Sequence, residues 1–202
     1  MSVPKASDSL WLSFLEGSRF FMGQGPIHDT LRSLAIALDQ EGIDYALVGG
    51  MALVAHGYRR FTEDIDLLLT PESLDRFRDR CLGRGYLPAF PGAAKSFKDT
   101  QTGVRIEMLT TGEYPGDGKP KPVRFPDPKD VAFEREGLRI IRLEPLIELK
   151  LASGLSAAHR LKDLSDVQDL IQKLALPLEL AERLDASVRD EYGRLWRTVQ
   201  EA

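Results

Sequence analysis

The six residues Asp64-Ile-Asp-Leu-Leu-Leu69 set two carboxylates into the start of an otherwise apolar run, and no other stretch constrains the fold as strongly. The run is short, stops at Thr70-Pro71 and precedes an amphipathic helical pattern over Glu72–Leu82, so it reads as a central β-strand. Side chains two apart on a strand share a face. Asp64 and Asp66 therefore stand together, with Cα atoms roughly 7 Å apart, while Ile65 points into the core. Like charges so close repel, and the arrangement makes sense with a cation between them. Hard oxygen donors suit Mg²⁺, or Mn²⁺ in its place. Paired ions about 3.5–4 Å apart would activate an attacking oxygen and stabilise a leaving one.

A third carboxylate from a neighbouring strand would complete such a site. Glu107, inside Val104-Arg-Ile-Glu-Met-Leu109, is the candidate; a solvent-facing acid on an amphipathic strand would look the same. Gly49-Gly50 closes the apolar run Tyr45–Val48 and opens a short helix over Met51–His56. Such a turn offers backbone N–H groups to phosphate, although an ordinary tight turn has the same signature.

Around this centre the pattern changes twice. Helices are expected over Ser7–Phe21 and Pro26–Glu41, and strands near Tyr86–Phe90, Ala94–Lys98 and Val104–Leu109. The proline-rich stretch Gly112–Pro128 reads as a loop or hinge. A hairpin over Val131–Phe133 and Leu138–Leu143 turns at Glu136-Gly137, and helices follow over Leu146–Ser153, Ala157–Leu174 and Leu178–Val199. The expectation is an α+β fold, a mixed β-sheet core with flanking helices over residues 1–143 and a C-terminal helical region over 144–202. Composition adds limits. A net charge of −4 argues against general affinity for nucleic acid. A single cysteine, Cys81, excludes an intramolecular disulfide and fits a cytoplasmic protein. No apolar run reaches the roughly 18–20 residues of a membrane span, and the N-terminus lacks the form of a signal peptide.

The run Leu47-Val-Gly-Gly-Met-Ala-Leu53, His56-Gly57 and Arg60-Phe-Thr-Glu-Asp-Ile-Asp-Leu67 resembles the signature of the polymerase-β-like nucleotidyltransferase superfamily. Within it the chain is most similar to bacterial nucleotidyltransferases that include the AbiEii-type toxins. The resemblance implies that Gly49 and Gly50 hold phosphate and that Asp64, Asp66 and Glu107 hold metal. Glu107 stands where relatives more often carry Asp, which lengthens one arm of the site. Leu149-Lys150-Leu-Ala-Ser153 and Arg160-Leu-Lys-Asp163-Leu-Ser-Asp166 are similar to later motifs of the AbiEii-like group. By that analogy Lys150 and Arg160 meet triphosphate, and Asp163 orients catalytic groups or serves as a base. On spacing alone Arg160, Asp163, Asp166 and Asp169 are equally a solvated helix face, and Lys150 can snorkel from an apolar one. Arg60 and Thr62, just before the Asp pair, are expected to support the carboxylates or meet phosphate. His28, His56 and His159 show no metal-ligand spacing; His56 is expected to pack or cap at a helix end.

The implied activity is metal-dependent transfer of a nucleoside monophosphate from a nucleoside triphosphate to an acceptor, releasing pyrophosphate. The acceptor is left open among tRNA, protein and small molecule. The alternatives are a toxin–antitoxin component acting through an antitoxin partner or RNA, and a relative that binds nucleotide without turnover.

Overall fold

The computed structural model describes residue 17 and residues 19–201 of the chain. Most of the helix expected over Ser7–Phe21 lies outside the described residues. Helix α1 (Pro26–Gln40) starts with Pro26 in its first turn and buries Ile27, Leu31, Leu34, Ala35 and Leu38, one stripe at helical spacing. Strand β1 (Ala46–Val48) is buried throughout and runs directly into α2 (Gly49–Ala55). Then come β2 (Asp64–Leu69) and α3 (Pro71–Cys81), whose Thr70 cap accepts a hydrogen bond from the Ser73 N–H. Strands β3 (Tyr86–Pro88), β4 (Ser96–Asp99) and β5 (Arg105–Thr110) follow.

Downstream, a one-turn helix α4 (Pro128–Val131) leads into the hairpin β6 (Ala132–Arg135) and β7 (Leu138–Ile141). Glu136 and Gly137 at its turn both have positive φ, 54° and 74°. Two expectations shift here. Pro128 and Val131 belong to α4 rather than to loop and strand, because Asp127 caps the Lys129 N–H and a proline suits a first helical turn.

The seven strands form one mixed sheet in the order β3-β4-β5-β2-β1-β7-β6. Strand β2 lies near its centre, antiparallel to β1 and parallel to β5. That position explains why Ile65, Leu67, Leu68 and Leu69 are inaccessible to solvent.

Helix α5 (Leu143–Ser156) buries residues all round its axis. Helix α6 (Leu161–Leu174), entered through a 3-10 turn at Ala158–Arg160, crosses it closely at Gly154, where a Cβ would lie 2.5 Å from the Leu164 side chain. The single helix expected over Leu178–Val199 is two elements, a 3-10 segment (Leu178–Arg183) and α7 (Ala186–Gln200). Asp185 separates them by capping the Ser187 N–H, a start signal that the continuous apolar stripe had masked. Buried side chains of α5, α6 and α7 join those of the sheet in one hydrophobic core. Among the described residues no helix is long and apolar enough to cross a membrane.

Candidate active site

Strand pairing brings the acids together. Asp66 is the Cα partner of Glu107 across the parallel β2–β5 pair, and Asp64 is the partner of Arg105. Burial alternates along β5, with Ile106 buried and Arg105 and Glu107 accessible, so those two share the face of Asp64 and Asp66. Each carboxylate is held differently. Thr62 Oγ1 donates to Asp64 Oδ1 at 2.8 Å, and Ser96 Oγ donates to Glu107 Oε1 at 2.8 Å. The Arg105 guanidinium reaches both, 3.2 Å from Glu107 Oε1 and 3.7 Å from Asp64 Oδ2. Asp66 lies deepest. Burial, and then the charge of Asp64, push its carboxyl up to about 6, with Glu107 acting in the same direction and Lys150 and Arg60 opposing.

The glycine pair is shaped around these residues. Gly49 has a φ of 61°, and a Cβ there would lie 1.8 Å from Asp66 Oδ2. A Cβ on Gly50 would lie 2.8 Å from Thr62 Oγ1. The first glycine thus lets the Asp66 carboxylate rest against backbone, and the second lets Thr62 reach Asp64.

Lys150, on α5, is buried, and its Nζ donates to Asp166 Oδ2 at 2.7 Å and to Asp163 Oδ1 at 3.1 Å. Asp166 also accepts from Arg60 Nη1 at 2.5 and 2.6 Å, while Asp163 accepts from Ser153 Oγ at 2.7 Å. Arg160 Nη1 stands 4.0 Å from Asp163. Three residues beyond Asp166 on the same helix, Asp169 accepts from the Tyr58 hydroxyl at 2.5 Å, and burial together with that acid raises the phenol to about 12. The α6 acids therefore face inward and tie the loop before β2 to the C-terminal helices. Asp166, left among the solvated possibilities at the level of sequence, is 3% exposed and joins Lys150 to Arg60.

Part of this network borders a cavity of about 540 Å³, within the range that small-molecule and cofactor pockets occupy. Its lining includes Gly49, Gly50 and Asp66, the charged groups Arg60, Lys150, Arg160 and Asp163, and the proline-rich stretch through Glu113 to Gly116 and Phe125. That stretch is no free hinge. Val123 and Phe125 are buried, and Gly112 and Glu113 exchange backbone hydrogen bonds with Phe125 at 2.8 Å each. Gly116 presses on α5 so closely that a Cβ would meet Ser156 Oγ at 2.0 Å, and the Asp117 N–H donates to that same oxygen at 3.1 Å. Lys121 is committed to Asp117 and the Pro115 carbonyl.

Asp64, Glu107 and Thr62 stand beside this cavity rather than lining it. Among the described residues no three His, Cys, Asp or Glu side chains form a ready ligand cluster, because Asp64 and Glu107 are turned to Arg105, Thr62 and Ser96. The donor chemistry nonetheless fits a divalent metal. Three carboxylates share one face, and the deepest is held above its ordinary range by the other two as well as by burial. His56 is structural: Nε2 donates to the Ile141 carbonyl at 2.8 Å and its ring packs on Phe133. Cys81 is buried.

The model of the nucleotidyl transferase AbiEii toxin, type IV TA system, matches residues 31–84, which span α1 to α3 and hold the glycine pair and both aspartates. No curated protein matches the chain significantly. The solution structure of the antibiotic-resistance factor ANT(2'')-Ia is similar over 86% of this chain and 97% of its own, at 18% identity and a TM-score of 0.51. A crystal structure of ANT(2'')-Ia with adenylyl-2''-tobramycin aligns over 83% of this chain and 94% of its own, at 13% identity and 0.47. JHP933 from Helicobacter pylori aligns over 86% and 90%, at 19% identity and 0.45.

Proposed function

We propose that this chain, with an AbiEii-type segment at residues 31–84 and a fold like that of ANT(2'')-Ia, is a metal-dependent transferase of nucleoside monophosphate. Its donor is a nucleoside triphosphate. The observation that carries this reading is that Asp66 and the glycine pair line one cavity together with the cations Lys150, Arg60 and Arg160. A cavity that holds a carboxylate among several cations accepts a metal–triphosphate, which carries both signs of charge.

On this reading Asp64, Asp66 and Glu107 hold Mg²⁺ or Mn²⁺, after Asp64 and Glu107 turn from their present partners. Held by these three acids, such an ion would supply neutralisation of phosphate charge and activation of the attacking hydroxyl. Gly49 and Gly50 keep side chains away from the phosphates, which can then approach the backbone. Lys150 and Arg160 face the β- and γ-phosphates and stabilise the charge that develops on pyrophosphate as the bond to the α-phosphorus breaks. Asp166 fixes Lys150 and Arg60, and Asp163 orients Lys150 or takes the acceptor proton. Positioning and electrostatics supply the catalysis. The α/β core to residue 143 thus brings the acids, and the helical region from 144 brings Lys150, Arg160 and Asp163.

The family match also favours a toxin role with an antitoxin partner, in the cytoplasm where nucleotides and acceptors are found. The acceptor belongs to the classes tRNA, protein or small molecule. The test is radiolabel transfer from each of the four α-labelled triphosphates to total tRNA, cell protein and small hydroxylated acceptors, with and without Mg²⁺. Transfer that Asp66→Asn abolishes is expected. Absence of both transfer and metal-dependent triphosphate binding would refute the reading, and a co-purifying partner in that case would favour action by binding alone.

A further inference from the structure

We propose that Arg105 is a resident counter-ion of the acid trio, which a divalent cation must displace, and so sets how tightly the site holds metal. The inference rests on the metal reading above.

Arg105 is the first residue of β5, level with Asp64 and two residues before Glu107, all on one face. Its guanidinium bridges two of the three acids, with Nε 3.2 Å from Glu107 and Nη2 3.7 Å from Asp64. A rigid planar cation that spans two carboxylates does electrostatically what a metal would do there. The other cations facing Asp66 are engaged elsewhere: Lys150 with Asp163 and Asp166, and Arg60 with Asp166. Arg105 has its two ion-pair partners, among the described residues, inside the trio itself.

Three further facts make it displaceable. Its side chain is 56% exposed, against 34% and 29% for Asp64 and Glu107, so it can swing into water with little loss of packing. Exposed ion pairs are individually weak. The guanidinium sits on a long flexible stem, so it leaves the acids by rotation and its charge stays nearby. Metal binding is then an exchange of one cation for another. The protein gains a neutralised site in the absence of metal and loses affinity for the free ion.

The test is titration of the full chain with Mn²⁺ alone, followed by calorimetry or by the electron paramagnetic resonance of unbound Mn²⁺. Wild type is compared with Arg105→Gln, Arg105→Ala and Arg105→Lys, with Asp66→Asn as control and thermal melts to show that each variant is folded. Removing one positive charge beside a divalent ion in largely aqueous surroundings should tighten Mn²⁺ binding about tenfold in both neutral variants. The lysine variant should stay close to wild type, and 0.5 M salt should narrow the gap, following roughly the screening expected at that ionic strength. Equal or weaker binding by Arg105→Gln and Arg105→Ala would overturn the proposal, since Arg105 would then be neutral or would preorganise the acids. The two readings fail differently. Binding that depends on Asp66 but not on Arg105 overturns the counter-ion role alone, whereas binding indifferent to Asp66 overturns the metal site and this inference with it.

Discussion

Gly49 and Asp66 compete for the same space: a methyl group on Gly49 would sit 1.8 Å from the Asp66 Oδ2 atom. The two residues are 17 positions apart in sequence and are joined through the β1–β2 pairing, where Val48 lies opposite Asp66.

Gly49→Ala should therefore damage the site and the fold together. The variant must push Asp66 off its seat and hold alanine at a φ of 61°, a combined cost of roughly 2–4 kcal/mol. Urea unfolding measures the first effect and Mn²⁺ titration the second. A variant with full stability and unchanged metal affinity would show that the contact is dispensable.

Asp66→Asn should stabilise the apo protein at neutral pH while abolishing transfer. The Asp66 carboxyl is raised from its ordinary value of 3.8 to about 6, so folding favours its protonated form. Its unfavourable contribution is absent below pH 4, grows as pH rises from about 4 to 6, and is complete above that. At pH 7.5 the substitution should add about 3 kcal/mol, and at pH 4 nothing measurable. The same linkage makes Mg²⁺ raise the melting temperature of wild type more at pH 7.5 than at pH 5. Thermal melts at the three pH values check both statements.

Asp166→Asn leaves the buried Lys150 and the half-buried Arg60 against a neutral partner. Loss of one member of a buried ionic cluster costs roughly 3 kcal/mol. Asp163→Asn, with a more exposed side chain and a longer contact to Lys150, should cost about 1 kcal/mol. Denaturant titration of both variants tests the order; the reverse order would mean that Asp163 is the principal anchor of Lys150.

The Asp pair and the glycines were legible because strand periodicity and turn chemistry are local. Glu107 was legible as an acid within an alternating strand, and register then placed it opposite Asp66. Arg105 was not, since its role arises from pairing with Asp64 across 41 residues, which no local pattern encodes. Asp163, Asp166 and Asp169 recur at helical spacing, which fits either a wet face or an inward one. The close crossing of α5 and α6 at Gly154 decided between them. The proline-rich stretch was recognised as irregular, but its burial against α5 depends on contacts with Ser153 and Ser156 that arise only in three dimensions.

That stretch gives a further prediction. Gly116→Ala sets a Cβ against Ser156 Oγ and 2.9 Å from the Ser153 carbonyl, at a φ of 76°. The cavity wall should lift from α5, with faster tryptic cleavage after Arg124 and weaker triphosphate binding. Adding Ser156→Ala should restore only part of both, because the Ser153 backbone still blocks the methyl group. Complete restoration would show that the Ser156 hydroxyl is the sole obstacle.

The sheet order has a temporal consequence. Asp64 and Asp66 are synthesised well before Glu107, and Lys150 and Asp166 later still. A ribosome-bound chain that has released only β1 and β2 carries two of the three acids and none of the α5 and α6 groups near them. Assembly of the site waits until α6 has emerged, so a chain broken off before that point leaves the acids without Lys150 and Asp166.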